Sequence, residues 1–260
     1  MPRPKVGLSM LYCLGQPFRK MFQQLAAVKT LHIEVVDDGS HTLTKKRVSM
    51  LNEAAKSTGI EYTVHAPFAD INIASQSKPL LGATLRRLKQ SIANASALDA
   101  HVWVFHPGIQ TGISPFYPGK DWKQNIKSIR VLHKTAEEYG VNIAIENVPE
   151  PYPFIMKNVE DFIRFYRETS LNTDLVLDVG HAYLNGQIEL FLRTFSDRIV
   201  HIHASDNMGG TDQHLGISYG KINWQRFAET LREIAYDKTV IIESVEHVEE
   251  SLRKLNQLLT

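Results

Sequence analysis

Short apolar runs alternate with longer amphipathic segments along the whole chain. Eight runs read as strands: Lys5–Met10, Leu31–Val36, Glu61–His65, His101–His106, Val141–Asn147, Asp174–Asp178, Arg198–Ala204 and Thr239–Ser244. Most are near-continuous in Val, Ile and Leu rather than alternating, the pattern of strands covered on both faces. Helical spacing fills the intervals. Pro79–Leu98 sets Leu81, Leu85, Leu88, Ile92 and Ala95 three and four residues apart, Lys120–Tyr139 and Trp224–Ala235 read similarly, and His247–Leu259 closes the chain. Gly59 and Gly140 each follow a helical segment and precede a strand, a helix C-cap position. Asn158 before Val159-Glu160-Asp161 reads as an N-cap followed by early acids. Eight strands, each followed by a helix, ask for a parallel sheet, and eight such units close into a barrel. The expectation is an α/β fold, a single (β/α)8 TIM barrel with residues 1–260 as one domain. The open, doubly wound dinucleotide-binding sheet finds no G-x-G-x-x-G after the first strand. Gly108–Gly119 reads as the longest insertion and Asp206–Gly220 as the next, both after strands on the catalytic face.

Composition narrows the classes. The chain has 260 residues, 29 basic against 28 acidic, for a net charge of +1, so nothing draws the whole protein toward nucleic acid or anionic membrane. A hydrophobic fraction of 43% suits a globular protein rather than a disordered one. The single cysteine, Cys13, excludes an internal disulfide framework and a cysteine-based zinc cluster, and reads as a packing residue. No run approaches the roughly 20 apolar residues of a membrane helix, and Met1-Pro2-Arg3-Pro4-Lys5 leads straight into a strand without a signal-peptide core, a cytoplasmic reading.

The unusual number is 11 histidines, and their placement carries the functional reading. His65 ends strand three, His106 strand four, Glu146 strand five and Asp178 strand six, with His181 three residues on. His203 ends strand seven and Glu243 strand eight, while Asp212 and His214 lie in the loop between them. A charged group inside a buried strand is costly unless it is paired or bound to a metal, and in a barrel the C-terminal strand ends converge on one pocket. Imidazole and carboxylate without thiolate form a ligand set for Zn²⁺, Mn²⁺ or Fe²⁺, with Mg²⁺ and Co²⁺ as further candidates. Glu146, Asp178, His203 and Glu243 satisfy one ion. The surplus (His65, His106, His181, Asp212 and His214) suits either a second and third ion, with Glu146 bridging, or substrate hydrogen bonding and support of the ligands. Glu34, within strand two, has two readings: it orients a substrate hydroxyl, or it pairs with a ligand or serves structure. Phe68, Trp103 and Tyr183 are possible pocket walls, with core packing as the competing role.

Taken together these pieces resemble the xylose-isomerase-like TIM-barrel superfamily, which includes endonuclease IV (AP endonuclease family 2) and many sugar isomerases and epimerases. The resemblance covers essentially the whole chain. It rests on Val64-His65-Ala66-Pro67-Phe68 with Ile71-Asn72-Ile73-Ala74-Ser75, and on Phe105-His106-Pro107-Gly108 and Ile145-Glu146-Asn147. Leu177-Asp178-Val179-Gly180-His181, His203-Ala204-Ser205-Asp206-Asn207 and Asp212-Gln213-His214 continue it. In the endonuclease branch, the positions matching all nine candidate ligands bind three zinc ions. In the sugar branch, those matching Glu146, Asp178, His203 and Glu243 hold one divalent ion, and the two glutamates act as acid and base.

Departures weigh against DNA repair. The stretch after strand two, Val36-Asp37-Asp38-Gly39-Ser40-His41, is short and acidic where the endonuclease carries a basic, aromatic loop. Val148-Pro149-Glu150-Pro151 replaces small residues, and Lys120 and Lys221 are too sparse for a phosphate track. The expected function is a divalent-metal-dependent isomerase or epimerase of a small sugar, polyol or sugar phosphate. Glu146 and Glu243 move the proton beside the carbonyl, and His65, His106 and His181 meet substrate oxygens or further ions. The alternative is an endonuclease IV-like phosphodiesterase with a di- or trinuclear zinc site. A non-catalytic barrel would require degraded strand ends, which this chain does not have. One to three ions per chain are expected, with a sugar or phosphoester as partner and nucleic acid disfavoured.

Overall fold

A computed structural model describes residues 3–259 of the chain. Eight parallel strands close on themselves in sequence order: β1 (Lys5–Ser9), β2 (His32–Val36), β3 (Glu61–His65), β4 (Trp103–Phe105), β5 (Ile143–Glu146), β6 (Asp174–Asp178), β7 (Ile199–Ala204) and β8 (Thr239–Ile242). β8 returns to β1, pairing Lys5 with Thr239 through Leu8 with Ile242, so no edge is left open. The helices are α1 (Phe18–Leu25), α2 (Lys45–Thr58), α3 (Lys78–Ala97), α4 (Lys120–Tyr139), α5 (Val159–Thr169), α6 (Val179–Leu184), α7 (Ile188–Thr194), α8 (Trp224–Glu233) and α9 (Val248–Leu259). This is the single (β/α)8 barrel that the eight repeats imply, with one difference: two short helices, α6 and α7, follow β6. No helix among the described residues is long and apolar enough to cross a membrane.

Two apolar layers hold the barrel. Outside the strands, Leu51, Ile92, Leu132, Phe162, Phe191 and Leu255 of the helices bury fully against Ile33, Trp103, Ile145, Leu177 and Ile202. At about 1.5–3 kcal/mol for each such side chain this layer dominates stability. Trp103 belongs here, not to a pocket wall: it is wholly buried, stacks on Phe105 and donates its indole N–H to Ser91 Oγ at 2.9 Å. Val102, Val104, Ala144 and Val176 form a separate cluster on the opposite face of the strands, filling the barrel below the polar residues. The helix ends follow the sequence signals. Gly59 and Gly140 cap α2 and α4 with φ of 79° and 67°, and Asn158 and Asp161 close a reciprocal capping box on α5.

Strands one, four, five and eight end earlier than their apolar runs, because the chain turns into βα loops there. His106 and Glu243 therefore stand just past their ladders. The connection from β7 to α8 is the longest on this face, ahead of that from β4 to α4, which reverses the order expected from the sequence. It is wound around Asp206. That wholly buried carboxylate accepts from the backbone N–H of Asn207 (2.9 Å), Ser218 (3.1 Å) and Ile222 (3.1 Å) and from Trp224 Nε1 (2.8 Å). Asp206→Ala strands these donors. Urea unfolding should show a loss of about 3 kcal/mol or more, and a loss below about 1 kcal/mol would contradict this role for Asp206.

Two further loops join each other at the barrel mouth. Gln110 N donates to Pro153 O (2.8 Å) and Ile155 N to Gly108 O (3.0 Å), so the β4–α4 and β5–α5 loops run as a short antiparallel ribbon. Gly108 sits so close to the β3–α3 loop that a Cβ there would lie 2.7 Å from Ala74 N, a contact only glycine avoids.

Candidate active site

The strand ends converge on a pocket of about 300 Å³. It is lined by the polar His65, His106, Glu146, His181, Asp212, His214 and Glu243 and by the apolar Leu11, Phe68, Pro149, Tyr152 and Phe154. Asp178 and His203 lie wholly buried beneath it. The structure thus brings all nine candidate ligands together. Ligand atoms of Glu146, Asp178, His203 and Glu243 lie within 4.8 Å of one another, as do those of His65, His106 and Glu146, and those of His181, Asp212 and His214.

Local structure explains each placement. Glu146 and Asp178 are the last residues of β5 and β6, where the ladder releases the chain. Asp178 also caps α6, its Oδ1 accepting from His181 N at 2.6 Å, and this bond seats His181 one turn on. The side chain of Asn147 clamps β6 alongside, accepting from Asp178 N (2.7 Å) and donating to Asp178 O (3.1 Å). His203 pairs with Asp178 in register across β6 and β7.

With each ring neutral, the acceptor behind it takes the single N–H. His65 Nδ1 lies 2.8 Å from Ala66 O, His181 Nδ1 2.8 Å from Asn147 O, and His214 Nδ1 3.0 Å from Glu243 O. His203 Nε2 lies 3.1 Å from Glu34 Oε2. Carbonyl and carboxylate oxygens only accept, so these nitrogens donate and the opposite nitrogen of each neutral ring is a lone pair. Those lone pairs aim at carboxylate oxygens: His65 Nε2 at Glu146 (3.4 Å), His181 and His214 Nε2 at Asp212 (3.2 and 2.9 Å), and His203 Nδ1 at Glu146 (3.3 Å) and Glu243 (3.5 Å). Glu146 Oε2, Asp178 Oδ2, Asp212 Oδ1 and His203 Nδ1 are buried without a hydrogen-bond partner. Facing lone pairs repel unless a cation or a proton lies between them. Imidazole and carboxylate donors, each ring anchored from behind, fit a divalent cation.

Without a cation, protons take that place. Burial opposes a charged ring at His65, His181 and His214. The carboxylates of Glu146, Asp178 and Asp212 outweigh it, pushing these rings up to about 9, 10 and 9. Burial likewise opposes ionisation of Glu146, yet the His203 and His106 rings hold its carboxyl well below the usual range. Burial lifts Glu243 to about 7 against the pull of His203 and His214. The two glutamates of one site are therefore driven apart, a pattern that suits acid–base work.

Several residues land outside the pocket. Glu34 is wholly buried one layer below it, so the arrangement matches pairing with a ligand rather than contact with a substrate hydroxyl. Tyr183 and Trp103 do not line the pocket, whereas Phe68 does. Cys13 is buried, donates its S–H to Met10 O (3.2 Å), and burial raises its thiol to about 11, all consistent with packing. Sequence reasoning passed over His201, which shares Glu34 with His203. The alternation His201-Ile202-His203 in one strand was the available signal.

Residues 22–258 match the family model of the xylose isomerase-like TIM barrel. The chain belongs to that family. An uncharacterized protein of Methanocaldococcus jannaschii is 31% identical over 92% of this chain and 83% of its own length. The D-psicose 3-epimerase of Enterocloster bolteae is 22% identical over 92% of this chain and 81% of its own. Among solved structures, a D-tagatose 3-epimerase-like protein superposes with a TM-score of 0.88 at 28% identity, covering 98% of this chain and 100% of that one. For this member of the xylose isomerase-like family, the sugar branch of the expected resemblance is the one its named relatives occupy.

Proposed function

We propose that the protein is a divalent-cation-dependent epimerase of a small, uncharged ketose, in which Glu146 and Glu243 exchange the proton on the carbon beside the carbonyl. The observation that carries this reading is the pair of buried glutamates flanking His203 Nδ1 inside a donor set built for a cation. A divalent cation held by Glu146, Asp178, His203 and Glu243 would supply Lewis-acid stabilisation of the charge that develops on the carbonyl oxygen. The residues supply the rest. Glu146 accepts the proton from one face, and Glu243 returns one to the other. The reverse reaction exchanges their roles. His65, His106 and His181 border the same space and meet substrate hydroxyls. Phe68, Tyr152 and Phe154 offer aromatic faces to the C–H side of a sugar ring or chain, and exclude water.

The pocket also indicates substrate charge. Among the described residues, no lysine or arginine lines it, while Glu146, Asp212 and Glu243 do. A phosphoryl group would meet carboxylates, and the nearby Lys157 is occupied by Glu150 at 2.7 Å. The test is a panel of free ketoses, including D-psicose, D-tagatose and D-fructose, beside their phosphorylated counterparts, with protein loaded with Mn²⁺, Co²⁺, Mg²⁺ or Zn²⁺. Free ketoses should be epimerised at least about tenfold faster than their phosphates. Preference for a phosphate would refute this reading of the pocket. The two further ligand groups, at His65 and at His181, are the feature a phosphodiesterase reading would use. The named relatives and the acidic Asp37-Asp38 loop support the epimerase instead, and no cleavage of abasic-site DNA is expected.

A further inference from the structure

Beneath the pocket lies a polar group that the proton exchange does not use. Glu34, His201 and His203 are all wholly buried. Glu34 Oε2 lies 3.1 Å from His203 Nε2, 3.2 Å from His201 Nε2 and 3.5 Å from Thr63 Oγ1. On its far side His201 Nδ1 is 3.3 Å from Thr239 Oγ1. One proton arrangement satisfies every bond. Thr239 donates its hydroxyl to His201 Nδ1, His201 Nε2–H and His203 Nε2–H both donate to Glu34, and His203 Nδ1 is left as a lone pair toward Glu146 and Glu243. The register between β6 and β7 steps by one residue so that His201, not Val200, pairs with Val176, and this step seats the second donor under Glu34.

We propose that Glu34 is a positioning residue that locks His203 in its Nε2–H tautomer and so makes Nδ1 the ligand atom, with His201 holding Glu34 in place. This rests on the reading of the pocket as a cation site. The alternative tautomer would place an N–H on His203 Nδ1, 3.3 Å from Glu146 Oε1. That hydrogen bond would tie the ligand nitrogen and a ligand carboxylate to each other and remove both from the donor set. Glu34 excludes this state, because its carboxylate can only accept while it is ionised, and a buried carboxylate with two ring donors has no other partner for them. A purely structural role would require only that the cavity be filled and polar.

The test compares wild type, Glu34→Gln and Glu34→Asp. Both rings bond Glu34 Oε2, while Oε1 has no partner. A Gln amide of the same shape keeps one oxygen for the two ring donors but removes the negative charge that holds both protons on Nε2 and puts N–H₂ in the place of Oε1. The measurements are Mn²⁺ affinity by calorimetry, the visible spectrum of the Co²⁺-loaded protein, and ¹⁵N NMR of the histidine rings in the Zn²⁺-loaded wild type. The expected results are Nε2–H at His203 in wild type, affinity lower by roughly 10- to 100-fold in Glu34→Gln with an altered Co²⁺ spectrum, and partial recovery in Glu34→Asp. Glu34→Gln with wild-type affinity and spectrum overturns the proposal, as does a protonated Nδ1 in loaded wild type. The wild-type NMR result decides the matter even if the variants do not fold. Wild type that binds no divalent cation defeats the cation reading itself, whereas wild type that binds one but epimerises no ketose leaves the Glu34 proposal standing and defeats the proposed function.

Discussion

Glu146→Gln and Glu243→Gln should each lower kcat for ketose epimerisation by about 10²–10⁴-fold with the barrel intact. Both carboxylates are buried, and both approach His203 Nδ1 within 3.5 Å, so a proton lost to one and regained from the other crosses a single small space. Glutamine keeps the volume and an oxygen donor but cannot carry a proton between faces. The sharper signature is asymmetric. With one base removed, the remaining carboxylate still exchanges the labile C–H of one epimer with solvent but not that of the other. Hydrogen exchange of each epimer, measured beside the metal content of each variant, separates loss of the base from loss of the ion. Retention of more than about a tenth of wild-type kcat in either variant would remove that glutamate from the proposed exchange.

The second large effect concerns the cation and pH. Chelation should abolish epimerisation and lower Tm by about 5–10 °C relative to protein saturated at 100 times Kd, the shift that binding to the folded state alone brings to a chain of this size. The pH dependence follows from the ring protons. His65, His181 and His214 are raised above 6.5, to about 9, 10 and 9. In cation-free protein their protonation therefore contributes stability that is complete below about pH 6.5 and is lost as pH rises through 9 to 10. Glu243, a carboxyl raised to about 7, acts in the same direction, since its buried ionised form is the costly one. A cation needs the deprotonated ligands, so its binding releases protons and tightens over the same window. The Tm difference between Mn²⁺-loaded and chelated protein should accordingly widen from pH 6 to pH 9. A constant or narrowing difference would contradict the placement of ring protons in the ligand space.

How much of this was legible in the chain depends on what each feature rests on. The barrel was legible because buried parallel strands and amphipathic helices leave different periods, and because Gly59, Gly140 and Asn158 punctuate the helices where the backbone needs them. The nine candidate ligands were legible because charge at the end of an apolar strand has few stable explanations. What escaped depends on pairing between distant segments. Asp206 organises its loop through a carboxylate fully engaged by donors from that loop and from Trp224. Glu34 and His201 meet across 167 positions, so only closure of the barrel reveals that they share a layer. Tyr152 and Phe154 belong to the ribbon between the β4–α4 and β5–α5 loops, whose backbone bonds leave no mark in composition. Which ring nitrogen faces the ligand space is likewise invisible in sequence and follows from the acceptor behind each histidine.

The most direct test of the account is solvent isotope incorporation. Cation-loaded protein is incubated with a free ketose in D₂O, and both the remaining substrate and any new sugar are analysed by NMR. The account predicts an epimer that carries one deuterium at the inverted carbon beside the carbonyl, formed with the loaded protein and absent after chelation. An epimer without deuterium, or equal formation in chelated protein, would contradict proton exchange through Glu146 and Glu243 at a cation site. Absence of any epimer across the ketose panel with every cation would contradict the proposed function itself.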